Sequence, residues 1–299
     1  MTYEEQLERP SSKLEATDPS LFADLPMENI NDGPAETLNL SIRLEMWWCS
    51  NATFALNKLN NHKLTLNLEK TKCILVGSNR KLESKMALTV SIFDHNVNNV
   101  NCFKYLGIFI SSDFTWTKHV EYIAGKINQR LGLLNRIKHL LPFSARPLFY
   151  NSLVMPLFDY ADLVWGDKHN VTLMTSLQVL QNKAAKIILD RPLYSSATHA
   201  LATLKWVPLE KRRFQRRCIY VYKCLNGLVE HDMNFIRQQE QHNYNTRTKL
   251  NLRLPSVKRN WGKQRTAFHA IKDFNALSQA IRQSVNLKIF KRNLFKFVI

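Results

Sequence analysis

The chain has 299 residues, 45% of them apolar, which is enough to bury one large core or two small ones. Forty-two Lys and Arg against 24 Asp and Glu give a net charge of +18, which favours a polyanionic partner over an acidic small molecule. No apolar run approaches the ~18 residues of a membrane-spanning helix, and five cysteines with neither a C-x-x-C pair nor a signal peptide point to reduced, intracellular thiols, in nucleus or cytoplasm.

Residues 1–45 carry ten carboxylates and three bases, net −7, with Pro10, Pro19, Pro26 and Pro34 spaced among them; this composition predicts a disordered acidic leader. The basic excess, +25, therefore belongs to the rest of the chain. Apolar spacing at Leu40, Ile42, Leu44, Trp47, Trp48, Phe54, Leu56 and Leu59 suggests helix in parts of 40–61. A strand signature follows, in which Leu64, Leu66 and Leu68 alternate with Thr65 and Asn67, and Cys73–Val76 is a short apolar run closed by Gly77-Ser78. Ala87–Phe93 is another strand candidate, ended by an Asp94-His95-Asn96 turn, and Tyr105–Ile110 a third, stopped by Ser111-Ser112-Asp113. The spacing predicts one small antiparallel sheet between about 64 and 112.

Everything after the sheet reads as helix. Val120, Ile123, Ile127, Leu131, Leu134, Ile137 and Leu141 recur at three- and four-residue intervals, with Lys126, Arg130, Arg136 and Lys138 largely off that stripe. His119 has no ligand-type partner at helical spacing and reads as a packed or capping residue. Ser144-Ala145-Arg146-Pro147 starts the next helix, with Ser as the N-cap. Leu173, Leu177, Leu180, Ala184, Ile187 and Ile188 mark another, ended by Arg191-Pro192. Helices at 196–204 and 209–225 complete the series. The second carries Phe214, Cys218, Val221 and Leu225 on one side, Arg212, Arg213, Arg216 and Arg217 among the bases elsewhere, and an Asn226-Gly227 C-cap. Such a basic helix reads either as a solvated face or as a phosphate-contacting one.

Several of these stretches resemble, in order, the rear of the polymerase in non-LTR (LINE-type, jockey- and CR1-like) retrotransposon reverse transcriptases. His62–Thr71 resembles N-x-L-x-x-N-x-x-K-T, with His62 where the family often has Asn, and Lys104-Tyr105-Leu106-Gly107-Ile108 matches K-Y-L-G-I. Trp116 and His119 resemble L-x-W-x-x-H-I; Leu153–Tyr160 with Val164-Trp165-Gly166 resembles L-I-x-P-x-L-x-Y…W-G; Leu180–Ala185 resembles L-Q-N-R-A. The end of the chain resembles Y-x-T-R…W-N-x-L-P…R…F-K-x-x-L through Tyr244–Arg247, Phe274 (for Trp), Ser278 (for Pro), Arg282 and Phe290–Leu294. Trp48 departs from the family by standing sixteen residues before Leu64 rather than a few, which suggests an insertion near 48–62.

The resemblance implies an α+β fold, a small palm-like sheet followed by a predominantly helical thumb-like region. The organisation expected is the leader at 1–45, a palm remnant at 46–112, thumb-like helices at 113–235 and a basic C-terminal region at 236–299. It implies a fragment of an RNA-directed DNA polymerase that lacks the catalytic carboxylates and retains at most template–primer binding, to RNA or an RNA–DNA duplex, while the want of a long apolar run predicts no membrane partner. Lys70 matches the family's lysine near the incoming nucleotide, and Tyr105 and Gly107 match the hairpin that supports the primer end. Family members use Mg²⁺ on palm carboxylates, because two-metal chemistry needs paired carboxylates to hold both ions. Here Phe22-Ala23-Asp24-Leu25 and Tyr160-Ala161-Asp162-Leu163 each lack the second Asp of Y-A-D-D. Asp159 and Asp162 read as solvated or capping groups, so no catalytic or metal-binding residue is assigned and the chain alone is expected to be inactive. The alternative is a helical protein–protein interaction module without a nucleic-acid role.

Overall fold

The computed structural model describes residues 67, 69–77, 82, 90–92, 95–166, 170–231, 233, 235–240, 250–257, 263 and 265–298. The chain divides into Met1–His62 and Lys63–Ile299, and all of these residues fall in the second unit. The expected leader, the helix within 40–61, the Leu64–Leu66 alternation and Tyr244–Arg247 lie outside the described residues.

The fold is α+β, as expected, but its strands form two small sheets. β1 (Lys72–Cys73), β2 (Val90–Ile92) and β3 (His95–Asn99) make one, in the order β1-β3-β2. The β2–β3 ladder is antiparallel, pairing Val90 with Val97 and Ile92 with His95, whereas β1 runs parallel to β3. The expected turn at His95-Asn96 is therefore the start of a strand. β4 (Cys102–Tyr105) and β5 (Ile108–Ser111) form a separate antiparallel hairpin. Tyr105–Ile110 is not one strand: Leu106 and Gly107 are its two-residue turn, at φ 46° and 86°. Positive φ at both central residues is what a type I′ hairpin turn needs, because its twist matches that of the flanking strands.

The helices follow the apolar periodicity. α1 (Thr117–Ile137) buries Val120, Ile123, Ile127, Leu131 and Leu134. α2 (Ala145–Phe149) runs into a π-helical turn at Tyr150–Val154 and then α3 (Met155–Asp159). Pro156 has no N–H to give the ladder, and the turn before it widens so that Met155 N–H reaches Tyr150 O. Ala161, at φ 51°, breaks the helix before α4 (Asp162–Trp165). α5 (Val171–Ile188) is capped by Asn170 Oδ1, which accepts Leu173 N–H, and α6 (Ala197–Thr203) by Ser196. α7 (Leu209–Leu225) ends at Asn226, where Gly227 at φ 65° and the Leu228 N–H to Lys223 O bond close a Schellman-type cap. α8 (Thr266–Asn275), α9 (Gln279–Arg282) and α10 (Leu287–Val298) complete the described part. Beyond residue 120 the described strand pairing is one bridge, Arg237 to Leu252.

Among the described residues, two larger apolar clusters hold most of the helices. The first gathers Trp116, Ile127, Leu131, Leu134, Tyr150, Phe158, Trp165 and Leu177, with Trp206 stacked on Tyr150 at 3.9 Å. The second joins Cys218, Val221 and Tyr222 of α7 to Ile271 and Phe274 of α8 and to Phe290 and Leu294 of α10. Burying a Leu or Phe side chain contributes roughly 1.5–3 kcal/mol, so the Phe290 and Leu294 pattern at the chain's end is a packing signal. Among the described residues, α7 is the helix that contributes buried side chains to both clusters, through Leu209 in the first and Cys218 onward in the second.

Candidate nucleic-acid interface

The β4–β5 hairpin turn is exposed and is held by Tyr160. Tyr105 and Leu106 are 57% and 71% exposed. Tyr160 Oη, at the end of α3, donates to Leu106 O at 2.6 Å, and a Cβ on Gly107 would stand 3.4 Å from the same ring. The positive φ is what calls for glycine here, since the ring would meet a Cβ at ordinary contact distance. At the hairpin's base His119 Nδ1 accepts the Phe109 N–H at 3.3 Å, while its ring meets Trp165 edge-on at 5.3 Å. His119 is 2% exposed and burial lowers its pKa to about 4. It is a packed residue, as the sequence suggested.

Beside the turn lies a cationic and aromatic surface that the sequence reading did not single out. Lys104 and Lys126 each place their ammonium 4.6 Å from the Tyr122 ring centre, and Lys104 Nζ donates to Tyr122 Oη at 3.0 Å. Phe109 packs edge-on against Tyr122 at 5.0 Å. Hydrogen bonds from the two lysines hold the Tyr122 phenol below its ordinary pKa. Neither lysine is in an ion pair among the described residues. The signal available in sequence was Lys104 two residues before the turn and Tyr122-Lys126 at helical spacing.

The other expected site residues are distributed differently. Lys70 sits in an exposed Asn67–Thr71 turn, its N–H donated to Asn67 Oδ1 at 3.0 Å. Tyr105 and Gly107 share the hairpin, but the four arginines of α7 turn inward. Arg212 forks onto Asp159 with contacts of 2.8 and 2.5 Å. Arg216 Nε reaches both Asp162 oxygens at 2.9 Å, and its Nη2 the Asp159 carbonyl at 2.9 Å. Arg217 Nε meets Asp273 at 2.6 Å, with both residues buried. Arg213 is 6% exposed, its guanidinium 5.1 Å from the Trp165 ring centre. The helix is therefore not a plainly solvated face. Asp159 and Asp162 are not solvated either: the break at Ala161 puts them on successive helices that both face α7. Desolvation raises the Asp162 pKa, with Arg216 opposing it.

These carboxylates do not fit a pair of Mg²⁺ ions, because both are already engaged by arginine. Among the described residues no group of three or more His, Cys, Asp or Glu could hold a metal ion. No described helix is long and apolar enough to cross a membrane.

No known protein-family profile matches the chain, and no solved structure matches it. The chain is similar to a Drosophila melanogaster protein described as "Probable RNA-directed DNA polymerase from transposon BS", with 34% identity over 101 residues, covering 32% of this chain and 11% of that protein. The chain thus has a sequence relationship to a retrotransposon reverse transcriptase, and the aligned part spans about a ninth of that relative's length.

Proposed function

We propose that the chain is the rear-palm and thumb portion of a LINE-type reverse transcriptase, which binds an RNA–DNA duplex and has no polymerase activity by itself. The observation that carries this reading is the exposed hairpin turn at Leu106-Gly107, braced by Tyr160 and flanked by the Lys104–Tyr122–Lys126 cluster. An aromatic face and paired cations on a rigid edge suit a nucleic acid, since rings stack on bases and ammonium groups neutralise phosphates. Tyr105 and Gly107 meet the primer end, Lys104, Lys126 and Lys70 take phosphates, and Arg212 and Arg216 act at the edge of their ion pairs. Arg213 and Arg217 support the helix from inside. Catalysis in an intact polymerase would use Mg²⁺ on carboxylates other than Asp159 and Asp162.

Photo-crosslinking with a 4-thiouridine-substituted RNA–DNA duplex, followed by peptide mapping, tests this assignment. Adducts within 102–111 and 117–137 are expected, and adducts confined to other segments would overturn it. The second reading, a protein-interaction module, draws on the exposed apolar side chains Leu140, Phe143 and Leu148, which are 74%, 56% and 65% exposed. An apolar interface would respond little to salt, whereas phosphate binding weakens steeply with it.

A further inference from the structure

The last described helix, α10, presents a row of exposed cations. Asn286 caps the helix, its Oδ1 accepting the Ile289 N–H at 2.9 Å. Phe290 and Leu294 are fully buried in the second apolar cluster, Leu287 packs against it, and Phe290 stacks on Tyr222 at 4.2 Å. These contacts fix which way the helix is turned. At 3.6 residues per turn, Lys288, Arg292 and Lys296 then fall together on the opposite side, and all three are exposed. Successive cations stand about 6 Å apart along the axis, at ~1.5 Å of rise per residue. Phe295, 42% exposed, lies beside Arg292 on the flank of the same row.

The row keeps its charge. None of the three cations is in an ion pair among the described residues. Residues 250–299 hold eleven Lys and Arg and one acid, Asp273, which is buried against Arg217, so the segment has no other carboxylate to offer them.

The composition of this face selects its partner. Three cations in line call for a polyanion with charges repeated along its length. An exposed ring beside them calls for one that also offers flat faces, and an unpaired base presents its face where a paired, stacked base does not. A membrane surface fits less well, because an interfacial helix needs a free apolar face and Leu287, Phe290 and Leu294 are already spent inside the protein.

We propose that the Lys288–Arg292–Lys296 row binds single-stranded nucleic acid without sequence preference, each cation taking a backbone phosphate and Phe295 stacking on a base. The row shares no residue with the hairpin surface and does not rest on it.

The test is fluorescence anisotropy of the full chain with a labelled oligothymidylate and an oligouridylate of equal length, across a series of salt concentrations. Both are expected to bind. Changing Lys288→Gln, Arg292→Gln and Lys296→Gln together is expected to lower the slope of log affinity against log salt by about 2, at ~0.7 per phosphate contact. Phe295→Leu is expected to weaken binding at least about fivefold at unchanged slope, and to leave binding of a blunt duplex as in the parent. Photo-crosslinking of the parent chain to a 5-bromodeoxyuridine oligonucleotide, with peptide mapping, reads the same surface without any substitution, and adducts within 287–298 are expected. A triple variant with the parent's slope, a Phe295→Leu chain that loses duplex and single strand equally, or adducts absent from 287–298 would each overturn the proposal. Binding to phosphatidylserine vesicles that the triple variant loses while it keeps the oligonucleotide would overturn it too, and make the row a membrane contact.

Discussion

Tyr160 and Leu106 stand 54 positions apart, and the phenol of one donates to the carbonyl of the other at 2.6 Å. This bond ties the tip of the β4–β5 hairpin to the end of α3, the same helix whose Asp159 holds Arg212 and Arg216. The exposed turn and the arginine network are thereby joined through two consecutive residues, Asp159 and Tyr160.

The turn itself is strained by its sequence. Leucine at φ 46° is in the left-handed region that L side chains disfavour, and it is exposed, so no burial offsets the cost. Leu106→Asn is expected to raise hairpin stability by a few tenths to about 1 kcal/mol, and Gly107→Ala to lower it by about 1 kcal/mol. Hydrogen exchange of the 102–111 amides measures both. A slower-exchanging Gly107→Ala hairpin would contradict the turn assignment.

The arginines of α7 are expected to differ according to how deeply their acids lie. Arg217→Met leaves Asp273 buried with its carboxylate 5% exposed and is expected to cost about 3–5 kcal/mol. Arg212→Met leaves the more exposed Asp159, at 20%, and is expected to cost about 1 kcal/mol. Urea unfolding gives the order, and equal costs would show that burial does not set it. Because the helix is a structural strut, alanine changes at all four arginines would report on folding before binding.

His119 predicts an acid limb of stability. Its pKa is lowered by burial from 6.5 to about 4, so the unfolded chain binds a proton in that interval and the folded chain does not. This contribution is complete above about pH 6.5 and is lost as pH falls through 4, by up to about 3 kcal/mol. His119→Phe is expected to flatten unfolding free energy measured across that window, and an unchanged slope would place the titration elsewhere.

Primer extension is expected to be absent with Mg²⁺ or Mn²⁺, since Asp159 and Asp162 are held by Arg212 and Arg216. Incorporation on purified chain that Asp162→Ala abolishes would contradict that expectation.

Helices were legible because Val120 to Leu134 and Leu177 to Ile188 repeat at helical spacing and bury together. The hairpin was not, since Tyr105–Ile110 is apolar throughout and only Gly107 hinted at a turn in which a leucine takes the other left-handed position. The arginines resembled a surface stripe because their acids, Asp159, Asp162 and Asp273, lie more than fifty residues away. Local pattern carries no record of such partners. Lys104, Tyr122 and Lys126 were missed for the same reason: a strand and a helix must pack before the two cations share one ring.

Fluorescence anisotropy of a labelled RNA–DNA duplex, titrated at a series of salt concentrations, tests the central claim most directly. The account predicts binding whose logarithm falls linearly with log salt. Lys104→Ala and Lys126→Ala should each reduce the slope by up to about 0.9, while Tyr105→Ala should weaken binding by about 1–3 kcal/mol with the slope unchanged. Binding indifferent to salt, or all three variants binding like the parent, would contradict it.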